Sequence, residues 1–268
     1  MAATTGIDAP RPSGSGLLAW GALATLFVVP VVCESLALEA TGSNDRSPAL
    51  VLMALVVAGA GMTTLAIYWR RIVTRLGNAG LATIASIAGL QFLVSYASRI
   101  VGSLAGALLG PMYIFVDGLG SKGLSCLFLG VLVTILPQPG ALSLALLTLF
   151  TLNVLTSGQV GLMALVFLAV SIVLHEGLAA LLGVTVGDQD SRHSSGARWS
   201  LALRAGLAIG LANALSLYAQ YALYEVLLRL DYALWYKLSV SIITGLIYGG
   251  IGAGCGVLIG LRLRRTAP

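Results

Sequence analysis

The stretch VSIVLHEGLAALLGV, residues 170–184, sets His175 and Glu176 side by side in an otherwise apolar run. An imidazole next to a carboxylate can ligate a metal, relay protons, contact a polar substrate or couple to a partner helix. The pair resembles the first half of a membrane zinc-protease motif, which needs a second histidine four residues after the first so that both ligands share a helix face. Position 179 is Ala179, so that chemistry has no second ligand. An intramembrane serine protease fails similarly, because LTSGQ carries Leu155 where the motif needs glycine. Walker A loops, dinucleotide fingerprints and paired carboxylate clusters are also missing, so the expectation is a protein without enzymatic activity and without a metal or organic cofactor. Neighbours on a helix diverge by about 100°, which directs His175 and Glu176 to different partners. A hydrogen-bonded pair that locks helix packing is the alternative to a functional one.

Other polar residues recur at helical spacing. Asn213, Ser216, Gln220 and Tyr224 form one stripe, and Gln91, Ser95, Ser98 and Arg99 share another face. Both stripes point into a bundle and run toward one membrane face, where Arg99, Asp117 and Glu225 are expected to converge. The stretch MYIFVDGLGSKG adds Tyr113, Asp117 and Lys122 among glycines. Stacking candidates are Tyr113, Tyr224, Tyr232, Trp235 and Tyr236; polar anchors are Arg99, Asp117 and Glu225, with Gln220 of the first stripe among the binding residues. Interhelical hydrogen bonding alone would also explain the stripes.

The elements that must position these groups follow from composition. Hydrophobic residues make up 58% of the 268 and charged ones 9%, with mean hydropathy +0.96, against roughly 25% charged in a soluble domain. This is the composition of an all-α polytopic membrane protein. Apolar runs at about 16–36, 49–69, 79–98, 124–136, 141–156, 159–185, 200–228 and 237–261 predict about eight transmembrane helices. The polar tail 1–15 and the uninterrupted first run read as a retained helix rather than a cleaved leader. Cys33, Cys126 and Cys255 lie scattered in apolar segments, as buried thiols do.

Residues 102–118, glycine-rich and broken by Pro111, read either as a further span or as part of an outer loop over 99–123. With the N-terminus cytoplasmic and 102–118 not crossing, most of the 15 basic residues fall inside, including Arg70, Arg71, Arg75, Arg262, Arg264 and Arg265. A crossing there reverses the bias. Both termini are therefore expected to be cytoplasmic, with basic cytoplasmic connections around 70–78 and 186–199, His193 lying in the second, and an inner-membrane location. The net charge of +5 reflects this topology and not nucleic-acid binding.

Two faces are built for close helix contact. Gly245, Gly249, Gly252 and Gly256 leave one side of the last helix nearly bare. Ala82, Ala85, Ser86 and Gly89 form two overlapping small-x-x-x-small pairs. Each face packs within the chain or receives a partner.

From about residue 79 onward the chain resembles the substrate-binding S component of an energy-coupling factor (ECF) transporter, nearest the thiamine and hydroxymethylpyrimidine group. The likeness rests on the order LATIASIAG, GALLGPMY, LPQPGALSL, the HEGLAALLG segment and a closing SIITGLIYGGIGAGCGVLIGLRLRR. It implies a six-helix core over 79–268, preceded by two additional helices in 16–78. It also implies a vitamin-like ligand under the 99–123 loop, with Arg99, Tyr113 and Asp117 in that loop. A transmembrane coupling subunit would dock on Ala82, Ala85, Ser86 and Gly89, with ATPase subunits beyond it and lipid around it. The competing reading is a membrane scaffold that acts through helix contacts without a soluble substrate.

Overall fold

The computed structural model describes residues 19–30, 48–158, 161–185, 195–230 and 232–266. The tail 1–15, most of the 186–199 connection with His193, and Cys33 lie outside the described residues, as does the side chain of Arg99. No strand occurs among the described residues; the elements are α1 (Ala19–Pro30), α2 (Pro48–Leu109), α3 (Tyr113–Gly118), α4 (Leu124–Ile135), α5 (Ala141–Ser157), α6 (Leu162–Leu181), α7 (Ser195–Leu228), α8 (Leu234–Val240) and α9 (Gly249–Thr266). Short π-helical segments, Leu119–Gly123 and Ser241–Tyr248, join α3 to α4 and α8 to α9.

Among the described residues, five helical stretches are long and apolar enough to cross a membrane: Val51–Leu109, Tyr113–Ile135, Met163–Leu181, Gly196–Glu225 and Leu234–Arg264. Ala19–Pro30 and Ala141–Ser157 are apolar but shorter. Large apolar side chains cover the outside, with Leu108 87% and Ile67 70% exposed. In water such a surface would aggregate, whereas in lipid it is solvated and every helical backbone group is already paired.

The 62 residues of α2 would measure about 93 Å unbroken, three times a hydrocarbon core. Gly77, at φ 60° and ψ −179°, divides them into two arms of roughly 45 Å each. The basic connection expected over 70–78 is thus helical up to this single glycine. The second correction concerns 99–123, which is a helical hairpin and not a loop. Gly110, at φ 57°, turns the chain between α2 and α3. Its flanking glycines let the arms touch: a Cβ on Gly106 would meet the Tyr113 ring at 3.6 Å, and one on Gly102 would meet Asp117 Oδ1 at 2.6 Å. Residues 102–118 therefore contain the hairpin tip and do not form a span of their own.

Turn chemistry sets the other boundaries. The sequence LPQPG ends α4 because Pro137 and Pro139 cannot continue it, and Gly140, at φ 94°, opens α5. Gly158 closes α5 in the left-handed region with its N–H on Val154 O at 2.8 Å.

The core lies where α4, α7 and α9 meet. The glycine face of the last helix is used here, within the chain. Gly252 and Gly256 lie against the backbone of Gly123 and Leu127, and a Cβ on Gly245 would meet Ala214 Cα at 2.5 Å. Cys126 is buried, while Cys255 is exposed on the outer surface of α9 rather than buried as expected. The additional helices pack on α6: Gly177 admits Trp20 and Ala24 of α1, and Gly61 of α2 lies against Val173.

Candidate functional site

A cavity of about 410 Å³, partly open to the surroundings, lies between the α2–α3 hairpin and the α7–α8 turn. Its size is at the lower end of the roughly 300–1,000 Å³ typical of small-molecule sites. One wall comes from α3 and the following π segment through Tyr113, Asp117, Ser121 and Lys122. Helical winding at 100° per residue would separate Asp117 from Lys122. Hydrogen bonds from i to i+5 bring the residue five positions on back over the first, so both face the cavity. Asp117 Oδ2 accepts a hydrogen bond from Ser121 Oγ at 3.1 Å, and Oδ1 is buried against Gly102 with no hydrogen-bond partner among the described residues.

The opposite wall is aromatic. Tyr221 of α7 meets Tyr232 at a centroid distance of 4.9 Å and 73°, and Tyr236 of α8 at 6.1 Å and 79°. Tyr232 and Tyr236 are nearly parallel, 10° apart in plane with centroids at 6.3 Å. Gln220 and Tyr224, one turn apart on α7, also face the cavity, and Gln220 Nε2 donates to Tyr224 Oη at 2.6 Å. That bond leaves the Tyr224 hydroxyl proton and the Gln220 carbonyl oxygen to meet a ligand.

Glu225 lies behind this wall instead of lining it. Its Oε2 accepts from Lys237 Nζ at 2.7 Å, with both side chains nearly inaccessible, and its Oε1 accepts from the Tyr232 backbone N–H at 3.3 Å. Lys237 Nζ also lies 5.8 Å from the centroid of the Tyr218 ring. One carboxylate thus ties the end of α7 to the turn and to α8, fixing the angle at which Tyr232 and Tyr236 are presented. Trp235, 66% exposed, points away from the cavity with its ring edge against Tyr236.

Neither His175 nor Glu176 lines the cavity. Glu176 Oε1 accepts from the backbone N–H of Ser143 at 2.9 Å and from its Oγ at 3.0 Å. The N–H groups of Gly140 and Leu142 are directed at the same carboxyl. The side chain caps the start of α5 from a neighbouring helix, satisfying donors that the first turn leaves open. His175 Nδ1 bonds to Ser171 O at 2.8 Å within its own helix. The two adjacent groups therefore serve different partners.

The small-residue face on α2 differs from the glycine face of α9. Ala82, Ala85 and Ser86 are exposed, and a Cβ added at Gly89 would meet nothing within 4 Å. The polar stripe beside it turns inward, with Gln91 buried and Ser95 3.1 Å from Ser125.

The structure brings Tyr113, Asp117, Gln220, Tyr224, Tyr232 and Tyr236 to one cavity and leaves Glu225 and Trp235 outside its lining. Sequence reasoning passed over Tyr221 and Thr244 and did not carry Lys122 forward as a binding residue. Tyr221 was discoverable, since it adjoins Gln220 and lies three positions before Tyr224. Among the described residues no group of three or more His, Cys, Asp or Glu side chains could hold a metal ion. No protein-family model, curated protein or solved structure matches the chain.

Proposed function

We propose that this protein is the membrane-embedded substrate-binding subunit of an ECF-type transporter, taking a vitamin-like small molecule into the cavity between α3, α7 and α8. The single observation that carries the reading is that cavity of about 410 Å³, where polar residues of the 113–122 stretch and of the α7 stripe meet tyrosine rings. A bundle whose polar residues served packing alone would close over them, because unfilled polar space in a membrane interior has no driving force.

The exposed face of Ala82, Ala85, Ser86 and Gly89 is the proposed contact for a transmembrane coupling subunit, with ATPase subunits in trans. Eight crossings with both termini cytoplasmic, in an inner membrane, complete the proposal. They rest on the arginines around 70–75 and 262–265. A scaffold without a soluble substrate has less support, since the glycine face it would offer on α9 is filled by α4 and α7.

Mass spectrometry of the protein released from mild detergent tests the reading. The expected result is a small molecule that co-purifies with the wild type and is lost in Tyr221→Ala and Asp117→Ala proteins of unchanged thermal stability. A clean chain carrying only another membrane protein would overturn it in favour of the scaffold.

A further inference from the structure

We infer that the end of the first α2 arm, just before Gly77, is a binding site for an anionic phospholipid, with the phosphate on Arg71 and Arg75 and an acyl chain along Gly59, Thr63 and Ile67. The site lies on the outside of the bundle and does not depend on what the cavity takes.

The row of residues argues first. Gly59, Thr63, Ile67, Arg71 and Arg75 follow one another at intervals of four and are all exposed, so they form one continuous strip along the arm. Its first part is apolar. A Cβ on Gly59 would meet nothing within 4 Å, which leaves an open trough there. Thr63 donates its hydroxyl to Gly59 O at 2.8 Å, so its donor is used within the helix. The arm measures about 45 Å against about 30 Å of hydrocarbon, so up to about 15 Å of it reaches headgroup level. Trp69, exposed beside Arg70, carries the indole that marks that level.

The charges there have no counter-ion among the described residues. Three carboxylates occur among those residues, and each is engaged elsewhere: Asp117 by Ser121, Glu176 by the start of α5 and Glu225 by Lys237. Arg70, Arg71 and Arg75 are all exposed. Arg71 is held with its guanidinium 5.8 Å from the Tyr68 ring centroid, an arrangement that orders the group while its in-plane N–H donors stay free to grip a phosphate. A zwitterionic headgroup would bring its ammonium beside three uncompensated cations, which favours a headgroup of net negative charge. A free phosphate would satisfy the arginines but leave the apolar part of the strip uncovered, and the occupant is therefore a lipid.

Native mass spectrometry of the full chain in detergent, with phosphatidylglycerol and phosphatidylethanolamine of identical acyl chains added in equal amounts, tests this. Phosphatidylglycerol is expected to be retained at least about fivefold more. Exchanging Arg71→Lys and Arg75→Lys together keeps the charge and hence the topology but removes the bidentate fork, and the preference should fall several-fold. Arg262→Lys, a like change at the other end of the chain, should leave it intact. Thermal unfolding without added lipid reports that each variant is folded. Equal retention of the two lipids by the wild type, which needs no variant, overturns the inference, as does an unchanged preference in the double variant. Displacement of the lipid by inorganic phosphate would overturn it as well, since the strip would then hold an anion without a tail.

Discussion

Lys237 Nζ lies 2.7 Å from Glu225 Oε2 across the α7–α8 turn, with both side chains nearly sealed from the surroundings. Taking two charges out of water costs several kcal/mol each, recovered only when they meet in good geometry. Removing one partner strands the other. Glu225→Gln and Lys237→Met are each expected to destabilise the bundle by about 3–5 kcal/mol, and the double variant by less than either single one. Thermal unfolding of the four proteins in one detergent gives the coupling, and additive losses would show that the pair contributes nothing as a unit.

Glu176 makes a different commitment. Glu176→Ala leaves the first-turn donors of α5 and Ser143 without an acceptor, an expected loss of about 1–3 kcal/mol. Glu176→Gln keeps an acceptor and should lose less. Because neither residue lines the cavity, ligand affinity of the folded Gln variant should match the wild type. An affinity change there would give Glu176 a role beyond capping.

The bond between Gln220 and Tyr224 predicts a modest effect on binding. Gln220→Leu removes the donor that orients the Tyr224 hydroxyl, and about 1 kcal/mol, or roughly fivefold in Kd, is expected to be lost. Tyr224→Phe should cost a similar amount. The co-purified ligand, displaced and re-titrated, is the readout, and unchanged Kd in both variants would remove this pair from the site.

The two small-residue faces can be separated by substitution. Gly256→Val drives a branched side chain into the Leu127 backbone and is expected to abolish folding, since α4 cannot retreat without losing its own packing. Gly89→Leu meets open space, so the isolated protein should keep its thermal stability and ligand affinity. Co-purification with a coupling subunit should fall for Gly89→Leu. If a complex forms equally well with this variant, the partner docks elsewhere.

Apolar periodicity located the helices because lipid leaves the backbone few alternatives, and the stripe through Gln220 and Tyr224 reached the cavity because α7 is regular. The hairpin is hidden in the sequence for a physical reason. Gly102, Gly106 and Gly110 have the composition of a loop, yet only Gly110 turns the chain, while the other two make room for Asp117 and Tyr113. Lys122 escaped because an arithmetic of 100° per residue cannot foresee a π segment. The Glu225–Lys237 pair spans a turn whose geometry is set by tertiary packing, so proximity in sequence could not distinguish a ligand anchor from an internal strut.

The packing of α1 and the first arm of α2 changes what a boundary at residue 79 would mean. Trp20 and Ala24 fill the notch at Gly177, Val173 lies against Gly61, and Ile72 presses on Gly140 where α5 begins. A chain cut at that point would hand acyl chains a glycine-lined trough one residue from a buried carboxylate, with the roof over the α5 cap removed. The first two helices act as permanent, shape-matched lipid for α6, and a minimal version of this protein has to keep them.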